Sequence, residues 1–575
     1  MKKIFHSIGQ ISISPLFLFA LLLSAQAQID TYKYTIEKRA VGEKGAVATA
    51  HPLASAVGIE ILKKGGNAFD AAIATQLALA VVYPGAGNIG GGGFLVAQTE
   101  KGKSIAIDYR EKAPGNASRN MYLDKDGNPL MNLSQHGHLA SGVPGTVAGL
   151  FASHPYAKLP FSDLIQPAIE LAEKGFVITA AEASSLNGTR SGFEQYNTKA
   201  TAFVKNEKWK AGDTLFQPEL AATLKRIQQF GMKGFYEGET ARLIVEEMKR
   251  GGGMITEEDL KNYSAVTRQP VVFDYKGYKV IGMPMPSSGG LLMQQMMKMI
   301  EDKEIGKMGF HSKEAVQLMT EVERRAYADR AEFMGDQDFV KVPVKTLSSA
   351  KYLKSRMNDF IPGKATPSET VQPGNVNPES EETTHLSVAD QFGNVVSVTT
   401  TLNGGYGSKT VVGGAGFLMN NEMDDFSVKP GVANMYGAVG KEANAIQAGK
   451  RMLSSMTPTV VLKNNKPFLV VGTPGGTTIP TSVFQTLVNI IEFGQTPLDA
   501  VNNPKFHHQW LPDQLMVEKD FSADIKSELG KMGYKVVNRG QIGRTEVIKL
   551  DWKGKKLQSI EAVADKRGDD HASAY

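Results

Sequence analysis

Cysteine is absent from all 575 residues. That absence removes disulfides, thiolate metal sites and any cysteine nucleophile. Tryptophan is scarce, at three, and no aromatic cluster of the kind that grips sugars accompanies the acidic residues, which weighs against a paired-carboxylate glycosidase. No basic run stands out. The formal charge of +5 is small for this length and includes two lysines at the very start, so nucleic acid is not an expected partner. After the opening segment, residues 1–27, no apolar run is long enough to span a bilayer. Hydrophobic content of 42% and charged content of 21% make an ordinary globular balance, and the length allows several domains or one large interleaved core. No metal or organic cofactor is implied.

The opening segment has its own logic. Lys2 and Lys3 precede an apolar run from Pro15 to Leu23 that ends in Ser24-Ala25-Gln26-Ala27. A basic start, a short apolar core and an A-x-A ending make a secretory signal peptide, with cleavage expected after Ala27. The chain is therefore expected to be exported, to a bacterial periplasm or outside the cell. Next, Gly45 to His51 reads as a strand, Leu53 to Lys64 as a helix closed by Gly65-Gly66, and Ala68 to Val82 as a buried, alanine-rich helix ending at Pro84. Gly85-Ala86-Gly87-Asn88-Ile89-Gly90 formally matches a dinucleotide fingerprint, but a helix leads in and a strand leads out, the reverse of what pyrophosphate binding needs. These glycines are expected instead where backbone passes close to backbone or ligand.

From Ser141 to about Phe360 the pattern is mostly helical. Met293, Met296, Met297 and Met299 read as core filling, and the charged run Glu321-Val322-Glu323-Arg324-Arg325-Ala326 as a solvated face with salt bridges. The stretch from Ala365 to Glu382 is rich in Pro, Ser, Asn, Gly and Glu and reads as a mobile loop. Directly after it, apolar and small or polar residues alternate from His385 to Leu402, broken at Asp390 to Asn394, which predicts a hairpin with Thr383 at its mouth. A threonine hydroxyl needs an adjacent base, and the base a threonine can carry with it is a chain-terminal amine. Cleavage of Glu382-Thr383 would release that amine, whose unperturbed pKa near ~8 suits it to take the hydroxyl proton. Thr384 is the internal competitor, nucleophilic if the cut fell one bond later. His385 is not needed as a base.

The motifs TTHLSVAD, TTTLN, NNEMDDFS, RMLSSMTPT and GTPGGTTIP, in this order, with GGNAFDAAIA, IGGGGF and AIDYREKAP upstream, resemble the γ-glutamyltransferases (γ-glutamyltranspeptidases), N-terminal-nucleophile hydrolases. The resemblance covers nearly all of the chain after the leader. It implies a self-cleaving precursor cut before Thr383, giving fragments of residues 28–382 and 383–575 that stay together as a heterodimer. It implies Thr401 as the hydrogen-bond partner of Thr383, Arg110 for the substrate α-carboxylate together with Ser454 and Ser455, and Asn403, Glu422 and Asp425 for the α-ammonium. It also implies a lid from Pro430 to Lys441 carrying Tyr436. Gly475 and Gly476, after Thr473-Pro474, offer backbone amides unobstructed by side chains for an oxyanion. Ala564 to Asp570 departs from the Asp-Pro-Arg usual in the family.

The implied fold is α+β, a four-layer αββα sandwich with both fragments interleaved in one core. The implied donors are γ-glutamyl compounds such as glutathione and glutamine, and the acceptors are water, amino acids or dipeptides. Two other readings remain open on sequence: a related acylase acting on glutaryl or cephalosporin side chains, and a non-catalytic secreted binding protein on the same fold. A glutaryl group has no α-ammonium, so Glu422 and Asp425 weigh against the acylase.

Overall fold

The computed structural model of the protein describes residues 29–371 and 383–575. The expected signal peptide, Glu382 and most of the loop before it lie outside the described residues. Ahead of Thr383 come strands β1 (Arg39–Gly42), β2 (Gly45–Thr49), β3 (Gly92–Gln98), β4 (Ser104–Tyr109), β5 (Val266–Arg268), β6 (Val271–Tyr275) and β7 (Tyr278–Gly282). After it come β8 (Thr384–Asp390), β9 (Val395–Thr401), β10 (Thr459–Lys463), β11 (Lys466–Gly472), β12 (Glu546–Lys553), β13 (Lys556–Val563) and β14 (His571–Ala574). They form two seven-stranded antiparallel sheets, ordered β14-β2-β8-β9-β3-β4-β5 and β1-β13-β12-β11-β10-β7-β6. Each sheet mixes strands from both sides of Thr383.

Strand periodicity explains the layering. On β8 the side chains of Leu386 and Val388 point to one face and Ala389 to the other. Ala389 joins Ala46, Phe94, Val96, Val460, Val470, Ile548 and Ile560 in a core between the sheets. Leu386 and Val388 belong instead to an outer core with the helices α1 (Pro52–Lys63), α2 (Ala68–Val82) and α3 (Phe161–Lys174), of which α2 lies on β8 and α3 packs on α2. The second sheet packs its outer face on α4 (Gly289–Ile300), α5 (Lys313–Phe333) and α6 (Thr478–Ile491). The result is helix, sheet, sheet, helix, as expected. The helix α2 is buried on every side and begins with a capping box between Asn67 and Asp70.

The expected β8–β9 hairpin forms, with Leu386 opposite Val398. Its turn is held by Asp390, whose Oδ1 accepts the N–H groups of Phe392 and Asn394 at 2.8 and 3.0 Å. The glycine segment after α2 also behaves as expected. A Cβ on Gly91 would stand 2.0 Å from the carbonyl oxygen of Thr401, and one on Gly90 would stand 2.1 Å from that of Leu418. Only glycine allows these two approaches.

The region from Ser141 to about Phe360 is mostly helical, as expected, and it also contributes β5, β6 and β7 at one edge of each sheet. One sequence-based expectation needs correction. The charged run on α5 is not solvated: Glu321, Glu323, Arg324 and Arg325 are all buried. Arg325 bonds Glu321 and Asp359, Arg324 bonds Asp513 and Ser368, and Glu323 accepts the N–H of His508 at 2.9 Å. Partners from distant segments replace the water that a lone helix would use. The four methionines of α4 are buried core, as expected.

Candidate active site

Thr383 sits immediately before β8, with its hydroxyl 3.5 Å from that of Thr401 at the end of β9. The Thr401 hydroxyl accepts the Asn403 N–H at 2.7 Å. Asn403 itself is left-handed, with φ of 76°, a conformation asparagine tolerates. This lets the chain reverse, so that the Asn403 side chain donates to the carbonyl of Asn421 at 3.0 Å.

Glu422 and Asp425 bound a single 3-10 turn. Residues three apart eclipse in such a turn, so both carboxylates face the same way. They meet Arg110, placed just beyond β4, whose Nη1 donates to Glu422 and whose Nη2 donates to Asp425. Arg110 is 1% exposed, and Glu111 lies 3.6 Å from its Nη1. Burial pushes the carboxyl pKa values of Glu422 and Asp425 above their ordinary range, and that of Glu111 to about 7, against the opposing pull of Arg110. Burial would lower the Arg110 pKa, but Glu422, Asp425 and Glu111 hold it above its ordinary value. One guanidinium thus faces three carboxyls. The residues expected to grip the two ends of a zwitterion are paired with one another.

Ser454 and Ser455 are held from behind. The Ser454 N–H donates to the Pro286 carbonyl at 2.8 Å, and the Ser454 carbonyl accepts the N–H and hydroxyl of Ser288, each at 2.8 Å. The Ser455 hydroxyl accepts from Arg330 of α5 at 3.0 Å. Gly475 and Gly476 form the turn between β11 and α6, with φ of 138° and 49°. Neither amide donates a hydrogen bond among the described residues. They stand at the positive end of a 14-residue helix.

The loop from Pro430 to Lys441 forms a wall of the same cleft. Asn434 donates to Asp425 at 2.9 Å, and the Tyr436 hydroxyl donates to the Asn403 carbonyl at 2.5 Å. The side chain of Gln509 donates to the carbonyls of Tyr436 and Gly437 at 3.4 and 3.1 Å and accepts from the Thr477 hydroxyl at 2.6 Å.

One small cleft is lined by Thr383, Thr401, Arg110, Asn403, Glu422, Asp425, Ser454, Ser455, Tyr436 and Gly476. These are all the described residues expected at the site except Gly475, which lies one position behind Gly476. Sequence reasoning missed Arg330, Asn434 and Thr477, which line it too. An arginine near the end of a charged helix carries no local signal that separates it from a surface ion pair. His385 shares the hairpin but not the chemistry. It lies between the sheets, 2.9 Å from the Thr399 hydroxyl and 3.1 Å from that of Ser387, and burial lowers its pKa to about 3. Among the described residues no group of His, Asp or Glu could hold a metal ion.

Residues 54–575 match the family model described as gamma-glutamyltranspeptidase. The chain belongs to the γ-glutamyltranspeptidase family. It is 48% identical over 510 residues to a glutathione hydrolase proenzyme of Escherichia coli (strain K12), covering 88% of each chain. Among solved structures it resembles the γ-glutamyltranspeptidase of Helicobacter pylori, at 46% identity and a TM-score of 0.56, over 56% of this chain and 94% of that one. It also resembles a cephalosporin acylase from Bacillus halodurans, at 27% identity and a TM-score of 0.82, over 95% of this chain and 99% of that one. The family match and the αββα fold thus agree over residues 54–575.

Proposed function

We propose that this protein is an exported, self-processing γ-glutamyltransferase and glutathione hydrolase with Thr383 as its nucleophile. The observation that carries the reading is one cleft holding Thr383 beside a buried array of opposite charges, Arg110 against Glu422 and Asp425. An α-amino acid carries an ammonium and a carboxylate on one carbon, and it can enter such an array by exchanging partners with it. A glutaryl acyl group brings only the carboxylate.

In maturation the Thr383 hydroxyl attacks the Glu382 carbonyl, the acyl group moves from nitrogen to oxygen, and water hydrolyses the ester. The freed α-amine then serves as base. In turnover it takes the hydroxyl proton as the oxygen attacks the γ-carbonyl. The amides of Gly475 and Gly476 stabilise the oxyanion. The donor's amine leaves with that proton, and a γ-glutamyl-threonine ester remains. Water resolves it as hydrolysis, and an amino acid or dipeptide resolves it as transfer.

Intact mass and N-terminal sequencing of the purified protein test the first half: a fragment beginning Thr383-Thr384-His385 is expected. Thr383→Ala is expected to remain one chain and to lose on the order of 10³-fold or more in turnover; full processing of that variant would refute the nucleophile. Parallel assays on γ-glutamyl and glutaryl anilides test the second half, and a preference for glutaryl would move the protein to the acylases.

A further inference from the structure

Arg330 stands in the last turn of α5 and is 7% exposed, at the wall of the cleft. Its Nε donates to the Ser288 hydroxyl at 3.1 Å and its Nη2 to the Ser455 hydroxyl at 3.0 Å. Both partners are neutral. Among the described residues Arg330 makes no ion pair within 4.0 Å. The carboxylate whose charge reaches it is Asp425, which is already bonded to Arg110 and Asn434.

A buried guanidinium cannot shed its proton and is costly without a counter-ion. Burial, with Arg110 adding to it, holds the Arg330 pKa below the ordinary arginine value despite the pull of Tyr327 and Asp425. Arg110 shows the opposite situation, because Glu422 and Asp425 already engage its guanidinium. An anion entering the cleft therefore meets one neutralised arginine and one whose charge is still open. The framework around Arg330 is built for this. Ser288 accepts from Arg330 while its own N–H and hydroxyl donate to the Ser454 carbonyl, so the arginine, the clamp on Ser454 and the Ser455 hydroxyl move as one unit.

We propose that Arg330 is a positioning residue of the donor site, which orients the Ser455 hydroxyl and supplies the uncompensated positive charge that draws in the α-carboxylate of a γ-glutamyl donor. The assignment rests on the donor class proposed above. Because Arg330 fixes the hydroxyl's acceptor side, the Ser455 proton is left to point into the cleft, toward an incoming carboxylate oxygen.

The test uses two p-nitroanilides with the same leaving group: γ-glutamyl-p-nitroanilide and its α-carboxamide analogue, which keeps the ammonium but has no carboxylate. Arg330→Met is expected to lower kcat/KM for the carboxylate substrate by roughly 10- to 100-fold, the scale of one charge-assisted hydrogen bond. For the carboxamide the loss is expected to stay below about threefold, since no charge is there to be missed. Equal losses on both substrates would mean that Arg330 only shapes the protein, and no loss on either would mean that it does nothing for the donor; both overturn the assignment. If Arg330→Met fails to fold or to be cleaved at Thr383, Arg330→Lys takes its place. It keeps the charge but not the fork, and it must still lose more on the carboxylate than on the carboxamide. A wild-type protein inert toward γ-glutamyl-p-nitroanilide would instead overturn the functional reading beneath it.

Discussion

Thr383 and Thr384 are adjacent, chemically identical and both buried, at 7% and 0% exposure. Alternation along β8 separates them. Thr384 shares its parity with Leu386 and Val388 and so faces the helix layer of α2, where its hydroxyl finds no partner among the described residues. Thr383 has the parity of Ala389, faces the space between the sheets, and opens onto the cleft. Replacing an unsatisfied hydroxyl by a methyl of the same shape is nearly neutral. Thr384→Val is therefore expected to self-cleave and to turn over γ-glutamyl-p-nitroanilide within about twofold of wild type. Fragment masses and anilide kinetics check this, and loss of cleavage in Thr384→Val would move the nucleophile one residue on. The same parity places His385 between the sheets, where a pKa near 3 keeps it neutral at any working pH.

Among the elements, the loop from Pro430 to Lys441 owes its position to partners outside itself. It has its own short ladder, Ala433 opposite Val439, and the Gly431 N–H donates to the Gly440 carbonyl at 3.0 Å. Its tip is anchored by Tyr436 on Asn403 and by Gln509, which bridges the loop's carbonyls to Thr477 beside the oxyanion turn. Gln509→Ala removes the bridge without touching the cleft, since Gln509 is not among the cleft's lining residues. At about 1 kcal/mol for each of the two lost hydrogen bonds to the loop, amide exchange in residues 430–441 is expected to speed up by roughly thirtyfold, with the flanking strands unchanged. Exchange monitored by mass spectrometry would show it, and unaltered protection would mean that the loop's other anchors, Tyr436 on Asn403 and Asn434 on Asp425, hold it without Gln509. The charged run on α5 teaches a related lesson. Its pattern of Glu and Arg is the same whether water or Asp513, Asp359 and His508 surround it, and only the packed chain supplies the latter.

At the scale of the molecule, the proposed cut falls inside a continuous hydrogen-bonded framework. Strand β2 is paired on both sides by strands from beyond the cut, β8 and β14. The pairs β9 with β3, β13 with β1 and β10 with β7 also cross it. Neither fragment holds a complete seven-stranded sheet or a complete inter-sheet core. After cleavage the two fragments are thus expected to coelute in size-exclusion chromatography under native conditions, to unfold in a single cooperative transition, and to separate only in denaturant. Fragments that part without denaturant would show that one of them folds alone.

The sequence by itself determined what depends on local period and on the chemistry of single residues. The hairpin after Thr383, the buried α2 and the reversed glycine segment were all legible, and the ordered motifs carried the family and, through it, Glu422 and Asp425. Tertiary structure decided everything that depends on which distant groups replace water. It paired Arg110 with Glu422 and Asp425, buried the charges of α5, filled both sheet edges with strands from a helix-rich stretch, and set Arg330 against Ser288 and Ser455 with its charge unmatched. A charged side chain has the same local pattern whether it is solvated, paired or stranded. Its electrostatic state is set by desolvation and by partners that only the packed fold brings near.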